Sequence, residues 1–500
     1  MLERARELWG FGAVGALVAV VTVRCDVNDG VNGADIEGVV GQGPKRLERC
    51  LRNQGFKGNS YRLLHGDTKD RATMTMEARA CPPLPNSSND YLPRVLPFFL
   101  QTLNKYGKKC FVWNGPVPLV TIAEPELIRE VFMKFHEFQK PRTNPLLEKF
   151  MLPALWESSN AMVKEWEEMA SKTGSCEIEV WTYFRKLSAD LISRAAFGSS
   201  YEEGKRIFEL LIEQIQIAIP VFNAVYIPGW RFIPTKANRR IVEIDKECRT
   251  LLKGVIDKRK KAIKGGEKPK DDLLGLLLES KFKDNGLNNK KHIELSIEEV
   301  INESKLFYLA GQGTTSSLLV WTIIMLGKYQ EWQARAREEI LNTFGNCIPD
   351  FQGLNHLKTV NMILQEVLRL YPPVLEISRT VTEDIRVGDV FLPAGVLVNL
   401  PIALIQQDEK LWGDDAKEFN PLRFSEGISK ATKGNMSFFS FGWGPRICIG
   451  SNFAMTEAKM TLALILQRFS FELSPSYVHA PSTIGGLRPQ FDAPIVFNRL

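Results

Sequence analysis

The sequence predicts a mainly α-helical chain with small β-sheets, folded as one large domain. From residue 146 to about residue 343, apolar residues recur at the three- and four-residue spacing of helices. Between residues 385 and 401, apolar residues alternate around Gly-Asp and Pro-Ala-Gly, a pattern that predicts a hairpin. Residues 44 to about 140 are mixed, with short β-like runs such as CFVWNGPVPLVTIAEP. Together these patterns predict a long helical middle flanked by small sheets.

The first 43 residues are predicted to form a membrane anchor and a flexible linker. The apolar run LWGFGAVGALVAVVTV, Leu8 to Val23, is shorter than the roughly 20 residues of a full span. It ends in Val-Arg-Cys, which disfavours a cleaved signal peptide because small residues are expected at the cleavage site. Gly, Asp and Asn dominate the next stretch, and the basic KRLERCLR after it suits anionic headgroups. We therefore assign residues 1–43 to anchor and linker and 44–500 to the catalytic domain.

Composition and charge disfavour zinc chemistry and nucleic-acid binding. The 8 cysteines and 5 histidines are scattered, with no CxxC or HExxH spacing, as in proteins whose thiols stay free in a reducing compartment. The formal net charge of +6 is mild for 500 residues. The clearest basic run, Lys258 to Lys270, has no aromatic residue on which bases stack, so it is interpreted as a solvated loop.

One cysteine, Cys448, sits in an unusual sequence, FSFGWGPRICIG. Gly442, Gly444 and Gly450 allow positive φ angles and close backbone approach, so that peptide N–H groups can point at a thiolate. Arg446 offers a cation to a carboxylate, and the ring of Phe441 shields the sulfur from water. A buried lone thiolate of this kind suits haem iron, where sulfur donates electron density for O–O cleavage. An inert structural cysteine would need neither the arginine nor the aromatic rings.

This stretch resembles the haem-binding loop of cytochrome P-450 monooxygenases, Phe-x-x-Gly-x-Arg-x-Cys-x-Gly. The match implies that Cys448 is the axial ligand of the iron of heme b, iron protoporphyrin IX. It implies further cofactor-binding roles for Arg446, Phe441, Gly442 and Gly450. The similarity extends from about residue 44 to the end of the chain, so the mainly α predicted fold becomes, by resemblance, the cytochrome P-450 fold.

A second match lies in SIEEVINESKLFYLAGQGTTSS, which begins with a capping box and runs on as an apolar helix. Glycines inside a helix each cost about 1 kcal/mol relative to alanine, so they need an explanation. In the family, AGxxT opens the helix beside the iron as an oxygen groove, which implies catalytic roles for Ala310, Gly311 and Thr314. Close helix packing is the alternative explanation for the glycines.

A third match, QEVLRLYPP, places Glu366 and Arg369 on one helical face. By itself this spacing is typical of a surface ion pair. With the two prolines that follow and with Arg423 in NPLRF, it resembles the family's structural Glu-Arg-Arg network behind the haem loop. Arg379, in SRTV, corresponds by position to the family's second arginine for a haem propionate.

Three further stretches, IPGWRFIPTKANRR, FQKPRTNP and SFELSPSYVHAP, resemble the plant clan of secologanin synthase and related terpenoid and hormone hydroxylases. The resemblance implies a monooxygenase that oxidises a hydrophobic plant metabolite, such as a terpenoid. It also implies NADPH-cytochrome P-450 reductase as electron donor, which makes NADPH an indirect cofactor. The location implied is the endoplasmic reticulum membrane, with the catalytic domain facing the cytosol and no nucleic-acid partner.

The sequence departs from the family pattern at three places. Gly313 stands where the family usually carries an acid that helps deliver protons, and Leu422 replaces the acid of Pro-Glu-Arg-Phe. The family's propionate-binding Trp-x-x-x-Arg helix has no match, because WTYFR, Trp181 to Arg185, precedes KLSADLISRAAFG of a later helix. A few dozen residues are expected to be missing between FQKPRTNPL and MLPALWESS.

Two other functions stay open beside the monooxygenase. One is a haem-thiolate isomerase or dehydratase that needs neither oxygen nor reductase. The other is a degenerate, poorly active chain that binds haem weakly.

Overall fold

The structure, a computed structural model, describes residues 43–63, 65–133, 145–199, 201–222, 233–265, 272–279, 296–483 and 486–500. The predicted membrane anchor and its linker, up to residue 42, lie outside the described residues. The first six residues of IPGWRFIPTKANRR and all but the last residue of FQKPRTNP do so as well.

The described part of the chain is mainly helical, as predicted. The helices are, in chain order, α1 (Gly43–Asn53), α2 (Thr68–Ala80), α3 (Leu92–Val95), α4 (Pro97–Tyr106), α5 (Pro125–Met133), α6 (Pro145–Ala170), α7 (Val180–Phe197), α8 (Tyr201–Phe222), α9 (Lys236–Lys264), α10 (Leu273–Glu279), α11 (Ile297–Lys328), α12 (Gln330–Phe344), α13 (Phe351–His356), α14 (Lys358–Leu370), α15 (Ile402–Gln406), α16 (Glu409–Trp412), α17 (Ile428–Ala431) and α18 (Ser451–Arg468). Short 3₁₀ turns occupy Pro421–Phe424 and Gly444–Arg446.

The strands form small sheets at the edges of the helical body. They are β1 (Lys57–Gly58), β2 (Cys110–Asn114), β3 (Val117–Thr121), β4 (Ser175–Glu179), β5 (Ile377–Thr380), β6 (Ile385–Val387), β7 (Val390–Leu392), β8 (Leu397–Leu400), β9 (Phe469–Leu473), β10 (Pro481–Thr483), β11 (Leu487–Pro489) and β12 (Pro494–Arg499). The largest sheet has the order β1-β2-β3-β8-β5, and a second has the order β4-β12-β9. The pairs β6-β7 and β10-β11 are separate antiparallel hairpins.

Helix α11 is the central helix of the core. Its predicted capping box is confirmed, because the Ser296 hydroxyl accepts from the Glu299 N–H while the Glu299 side chain accepts from the Ser296 N–H. Every residue from Thr315 to Gly327 is buried, and α7, α14 and α18 pack against the helix. By length and composition α11 is the one described helix apolar enough to cross a membrane, yet 72% of its apolar window is buried inside the protein.

The hairpin predicted for residues 385–401 exists only in its first half. Strands β6 and β7 pair around Gly388, whose φ of +54° suits the tight turn. Strand β8 instead leaves the hairpin and runs parallel to β3 in the five-stranded sheet. Its buried residues Val398, Asn399 and Leu400 need cover on both faces, which a two-stranded hairpin does not provide.

The basic run that begins at Lys258 was wrongly predicted to be a loop. Helix α9 continues through Lys264, because Leu252 and Ile256 keep its inner face buried at helical spacing. Arg259 also points inward, where its guanidinium pairs with the Asp272 carboxylate at 2.6 Å. The described part of the run, residues 258–265, is therefore a charged helix end with one inward ion pair.

Candidate functional site

The loop that carries Cys448 is a compact turn between the 3₁₀ turn and α18. Gly442 and Gly444 have φ angles of +70° and +69°, a left-handed conformation that side-chain-bearing residues rarely adopt. The Cys448 N–H donates to the Phe441 carbonyl at 2.8 Å, and the Ile447 N–H donates to the Gly444 carbonyl at 3.1 Å. These bonds fold the loop back on itself and leave the Cys448 side chain exposed.

The start of α18 differs from the sequence-based expectation at Gly450. Its φ of −87° lies outside the left-handed region, so the backbone there does not require glycine. A Cβ there would lie 3.9 Å from the Cys448 Sγ, an ordinary contact. Ser451 is the first helical residue, because Gly450 occupies the cap position and its carbonyl accepts from the Ala454 N–H.

On α11, the AGxxT segment is the part of the helix that is less covered by protein. Ala310, Gly311, Gly313 and Thr314 are each half-buried, whereas the residues that follow are fully buried. The Thr314 hydroxyl donates to the Ala310 carbonyl at 2.8 Å, one turn earlier. Ala310 and Thr314 therefore share one helix face, as an oxygen groove requires. Their catalytic role stays a prediction.

Gly311 has a packing role in this structure. A Cβ at this position would lie 2.8 Å from the Ile192 Cγ1 on α7, far inside normal contact distance. The glycine thus allows α7 and α11 to approach closely, which is the packing alternative kept open above. A role for Gly311 beside the iron stays a prediction.

Two arginines of the site lie close together in a largely buried position. Arg379 is 7% exposed, and its guanidinium donates to the Ser378 carbonyl at 3.0 Å. Burial, and then the nearby Arg446 cation, lower the pKa of Arg379 to about 10. Two like charges this close favour an anion between them. The exposed thiol of Cys448 lies in the same loop as Arg446. Together, the thiol and the two guanidinium groups fit a metal porphyrin that carries two carboxylates.

The residues present therefore fit haem. Cys448 would ligate the iron, and Arg379 and Arg446 would bind the propionates. When bound, haem supplies the oxygen-activating chemistry that its thiolate ligand favours. The protein's own contribution would be to hold the sulfur in its folded loop, to fix the propionates and to present Thr314.

Behind the loop, the Glu-Arg-Arg network forms as the resemblance implies. Arg369 and Glu366 are fully buried, and Nε and Nη2 of the arginine each donate to a carboxylate oxygen at 2.8 Å. Arg423 adds an ion pair, with 3.7 Å between its Nε and the Glu366 Oε1. Breaking a buried pair of this kind by removing one partner costs about 3–5 kcal/mol. The surface ion pair considered as the alternative is wrong for this pair.

The network is joined to the cysteine loop by two residues that the sequence analysis missed, Gln406 and Ser440. The Gln406 side chain donates to the Arg369 carbonyl at 3.1 Å and accepts from the Phe439 N–H at 2.9 Å. The Ser440 hydroxyl donates to the Leu368 carbonyl at 2.9 Å. No local motif marks either residue, since their partners lie far away in sequence. Through them α14 holds the loop in place.

Two of the departures from the family pattern can be placed. Leu422, which replaces the usual acid, is 54% exposed, so the missing carboxylate leaves no buried gap. Trp181 and Arg185 lie on α7, where the Arg185 carbonyl accepts from the Gln312 side chain at 3.4 Å. This stretch therefore belongs to the helix that packs across α11. Its exclusion as the propionate-binding motif stays a prediction.

A buried acid on α18, Glu457, is expected to make the stability of the fold depend on pH. The Ser188 hydroxyl donates to its Oε1 at 2.6 Å, and burial raises its pKa to about 8. The native state thus keeps a proton that the unfolded chain loses near its ordinary pKa of about 4.3. We expect the free energy of unfolding to fall as pH rises from about 5 to about 8, by up to about 1.4 kcal/mol per pH unit.

Urea unfolding at several pH values tests this expectation. Glu457→Gln should flatten the pH dependence in that window, because the amide keeps the shape without the ionisation. Glu472→Gln, on the exposed side of β9, is the matched control and should leave the slope unchanged. An unaltered slope in Glu457→Gln would assign the pH dependence to another group.

Known proteins are similar to this chain over most of its length. The family model described as Cytochrome P450 matches residues 140–486. Cytochrome P450 CYP72A219 of Panax ginseng is 52% identical over 488 residues, an alignment that covers 91% of this chain and 94% of the relative. That alignment is longer than the part of this chain it covers, so the relative has residues with no counterpart here.

Two further relatives are similarly close. Cytochrome P450 72A397 of Kalopanax septemlobus is 50% identical over 487 residues, with 91% of this chain and 93% of the relative covered. Echinocystic acid 23-monooxygenase of Saponaria officinalis is 49% identical over 493 residues, with 91% of this chain and 94% of the relative covered. Since the family model matches well over half of the chain, this protein belongs to the cytochrome P450 family and is an oxygen-incorporating monooxygenase.

Proposed function

We propose that this monooxygenase inserts one oxygen atom from O₂ into a C–H bond of a hydrophobic plant terpenoid. The observation that carries the proposal is the exposed Cys448 in its rigid loop, next to the Arg379–Arg446 pair that fits haem propionates. The similarity to the Saponaria relative, an echinocystic acid monooxygenase, supports a triterpenoid substrate.

We further propose an electron donor and a cellular location for this reaction. NADPH-cytochrome P-450 reductase would supply the electrons, and residues 1–43 would anchor the chain in the endoplasmic reticulum membrane with the catalytic domain in the cytosol. The basis is the family resemblance and the apolar run at Leu8 to Val23.

Microsomes that express the chain, with added reductase, test the proposal. Incubation with triterpenoids in ¹⁸O₂ should give a product with one labelled oxygen, detected by mass spectrometry, only when NADPH is present. Product formed without NADPH and without label would instead support the isomerase or dehydratase alternative.

Gly313 is expected to limit the efficiency of this reaction. Proton delivery by a positioned acid contributes about 10²–10⁴-fold in enzymes, and no acid stands at this position of α11. Thr314 and water would then relay protons alone, so much of the NADPH consumed should end as peroxide. We expect Gly313→Glu to raise the product formed per NADPH consumed several-fold.

The ratio of product to NADPH, measured together with peroxide, decides this point. Gly313→Gln is the matched control, because it has nearly the same size as glutamate but no ionisable group. Equal coupling in the glutamate and glutamine variants, or tight coupling already in the unaltered protein, would refute the proton-relay explanation.

A further inference from the structure

A cluster of arginines lies beside the half-buried segment of α11. Arg488 stands on β11, and Arg79 ends α2. The Arg79 guanidinium donates to the Thr483 carbonyl at 2.6 Å, and Thr483 pairs in register with Leu487. The hairpin β10-β11 therefore holds Arg79 close to the strand that carries Arg488.

The hairpin is fixed to the same face of α11 that carries Thr314. The Leu487 carbonyl accepts from the Ser317 hydroxyl at 2.5 Å and from the Trp321 Nε1 at 3.1 Å. Ser317 and Trp321 follow Thr314 by three and seven residues, so all three lie on one side of the helix. Arg488, next to Leu487, is thus placed about one helical turn from the predicted oxygen groove.

Arg488 has no anionic partner among the residues that the structure describes. It is half-buried, with its Nε shielded from solvent, and no hydrogen bond or ion pair engages its guanidinium within the part of the chain that the structure describes. Burial, and then the cations of Arg185 and Arg79, lower the pKa of Arg488. Burial and the Arg94 cation likewise lower the pKa of Arg79. The charges that act on these two arginines are other arginines.

Such an arrangement favours a ligand anion. Guanidinium groups bind carboxylates bidentately, and removal of the surrounding water strengthens the pair. The position beside the groove means that a molecule held by its carboxylate at Arg488 would lie along α11 next to Thr314. A neutral molecule would leave this positive region unbalanced.

We propose that Arg488 binds the carboxylate of an acidic terpenoid substrate and so orients its hydrocarbon skeleton toward Thr314. Arg79 and Arg185 reinforce the positive field around this contact. This inference rests on the proposed function and specifies the substrate class: a terpenoid acid rather than a terpenoid alcohol or hydrocarbon.

The experiment compares a pentacyclic triterpene acid with its methyl ester. Isothermal titration calorimetry with the full-length protein should give an affinity for the acid about tenfold higher or more, since a hydrogen bond to a charged group contributes about 1.5–3 kcal/mol. Arg488→Gln should lower the affinity for the acid by the same factor and leave the affinity for the ester unchanged. Arg488→Lys should recover part of the loss, and Arg386→Gln, an exposed strand arginine, is the matched control.

Equal affinities of acid and ester for the unaltered protein would overturn the proposal. So would an equal loss of acid affinity in Arg488→Gln and Arg386→Gln, since this would show only a general charge effect. The titration needs neither oxygen nor reductase, so its outcome is separate from that of the oxidation itself. Acid binding without oxidation would support the carboxylate site at Arg488 and refute the proposed function. Oxidation of neutral terpenoids alone would support the proposed function and refute the carboxylate site.

Discussion

Replacing Cys448 with serine is expected to abolish the strongly red-shifted Soret band that reduced thiolate-ligated haem shows with carbon monoxide. The reason is that the band depends on an anionic sulfur, and a serine hydroxyl stays protonated and does not replace it. In the structure this sulfur is exposed at the tip of a loop held by two left-handed glycines, so it is accessible to an iron. A difference spectrum of membranes that express each variant gives the measurement.

Cys347→Ser is the appropriate control, because Cys347 is also an exposed thiol but lies after α12, outside the site. The control should keep the full band. A red-shifted band that survives in Cys448→Ser, or disappears in Cys347→Ser, would overturn the assignment of the axial ligand.

The second large effect is expected from inserting the segment that we predict this chain to lack. We propose that the missing residues include the family's Trp-x-x-x-Arg helix, so that a haem propionate loses one charge-assisted hydrogen bond. Such a bond contributes about 1.5–3 kcal/mol, which corresponds to roughly tenfold or more in affinity. Inserting a family segment with this motif between residues 147 and 151 should slow haem loss by at least about tenfold. Haem transfer to excess apomyoglobin measures the rate.

The same insertion with its motif arginine replaced by glutamine separates the hydrogen bond from mere coverage of the haem edge. This variant should slow haem loss, but by less than the insertion that keeps the arginine. If the unaltered chain already retains haem as firmly as the full insertion, the missing segment has no role in cofactor binding. The alignment with the ginseng relative is longer than the part of this chain that it covers, as an internal loss would produce. Sequencing the transcript would show whether an exon is absent.

The Glu-Arg network shows how stability and function are joined in this fold. The buried Glu366–Arg369 pair also fixes backbone carbonyls, since Arg369 donates to those of Gln406 and Ala416 at 2.8 and 2.6 Å. Gln406 in turn holds the Phe439 N–H at the start of the cysteine loop. Damage to the pair would therefore move the loop that presents the sulfur, and a loss of stability and a loss of haem are expected together.

The sequence by itself determined the mainly helical fold class, the identity of the family and the residues of its motifs. These features are local: the capping box at Ser296, the glycine-rich cysteine loop and the Glu-x-x-Arg spacing each lie within one turn or one helix. Local hydrogen bonds and helical periodicity need no knowledge of distant residues, so they can be predicted from neighbouring positions alone.

Only the tertiary structure decided which residues meet across the fold. The packing role of Gly311 depends on Ile192, and the support of the cysteine loop depends on Gln406. The same holds for Arg488, whose position beside α11 is set by hydrogen bonds from Ser317 and Trp321 to Leu487. Each of these contacts joins residues far apart in the chain, and long-range contacts arise from packing of whole elements, which no local pattern encodes.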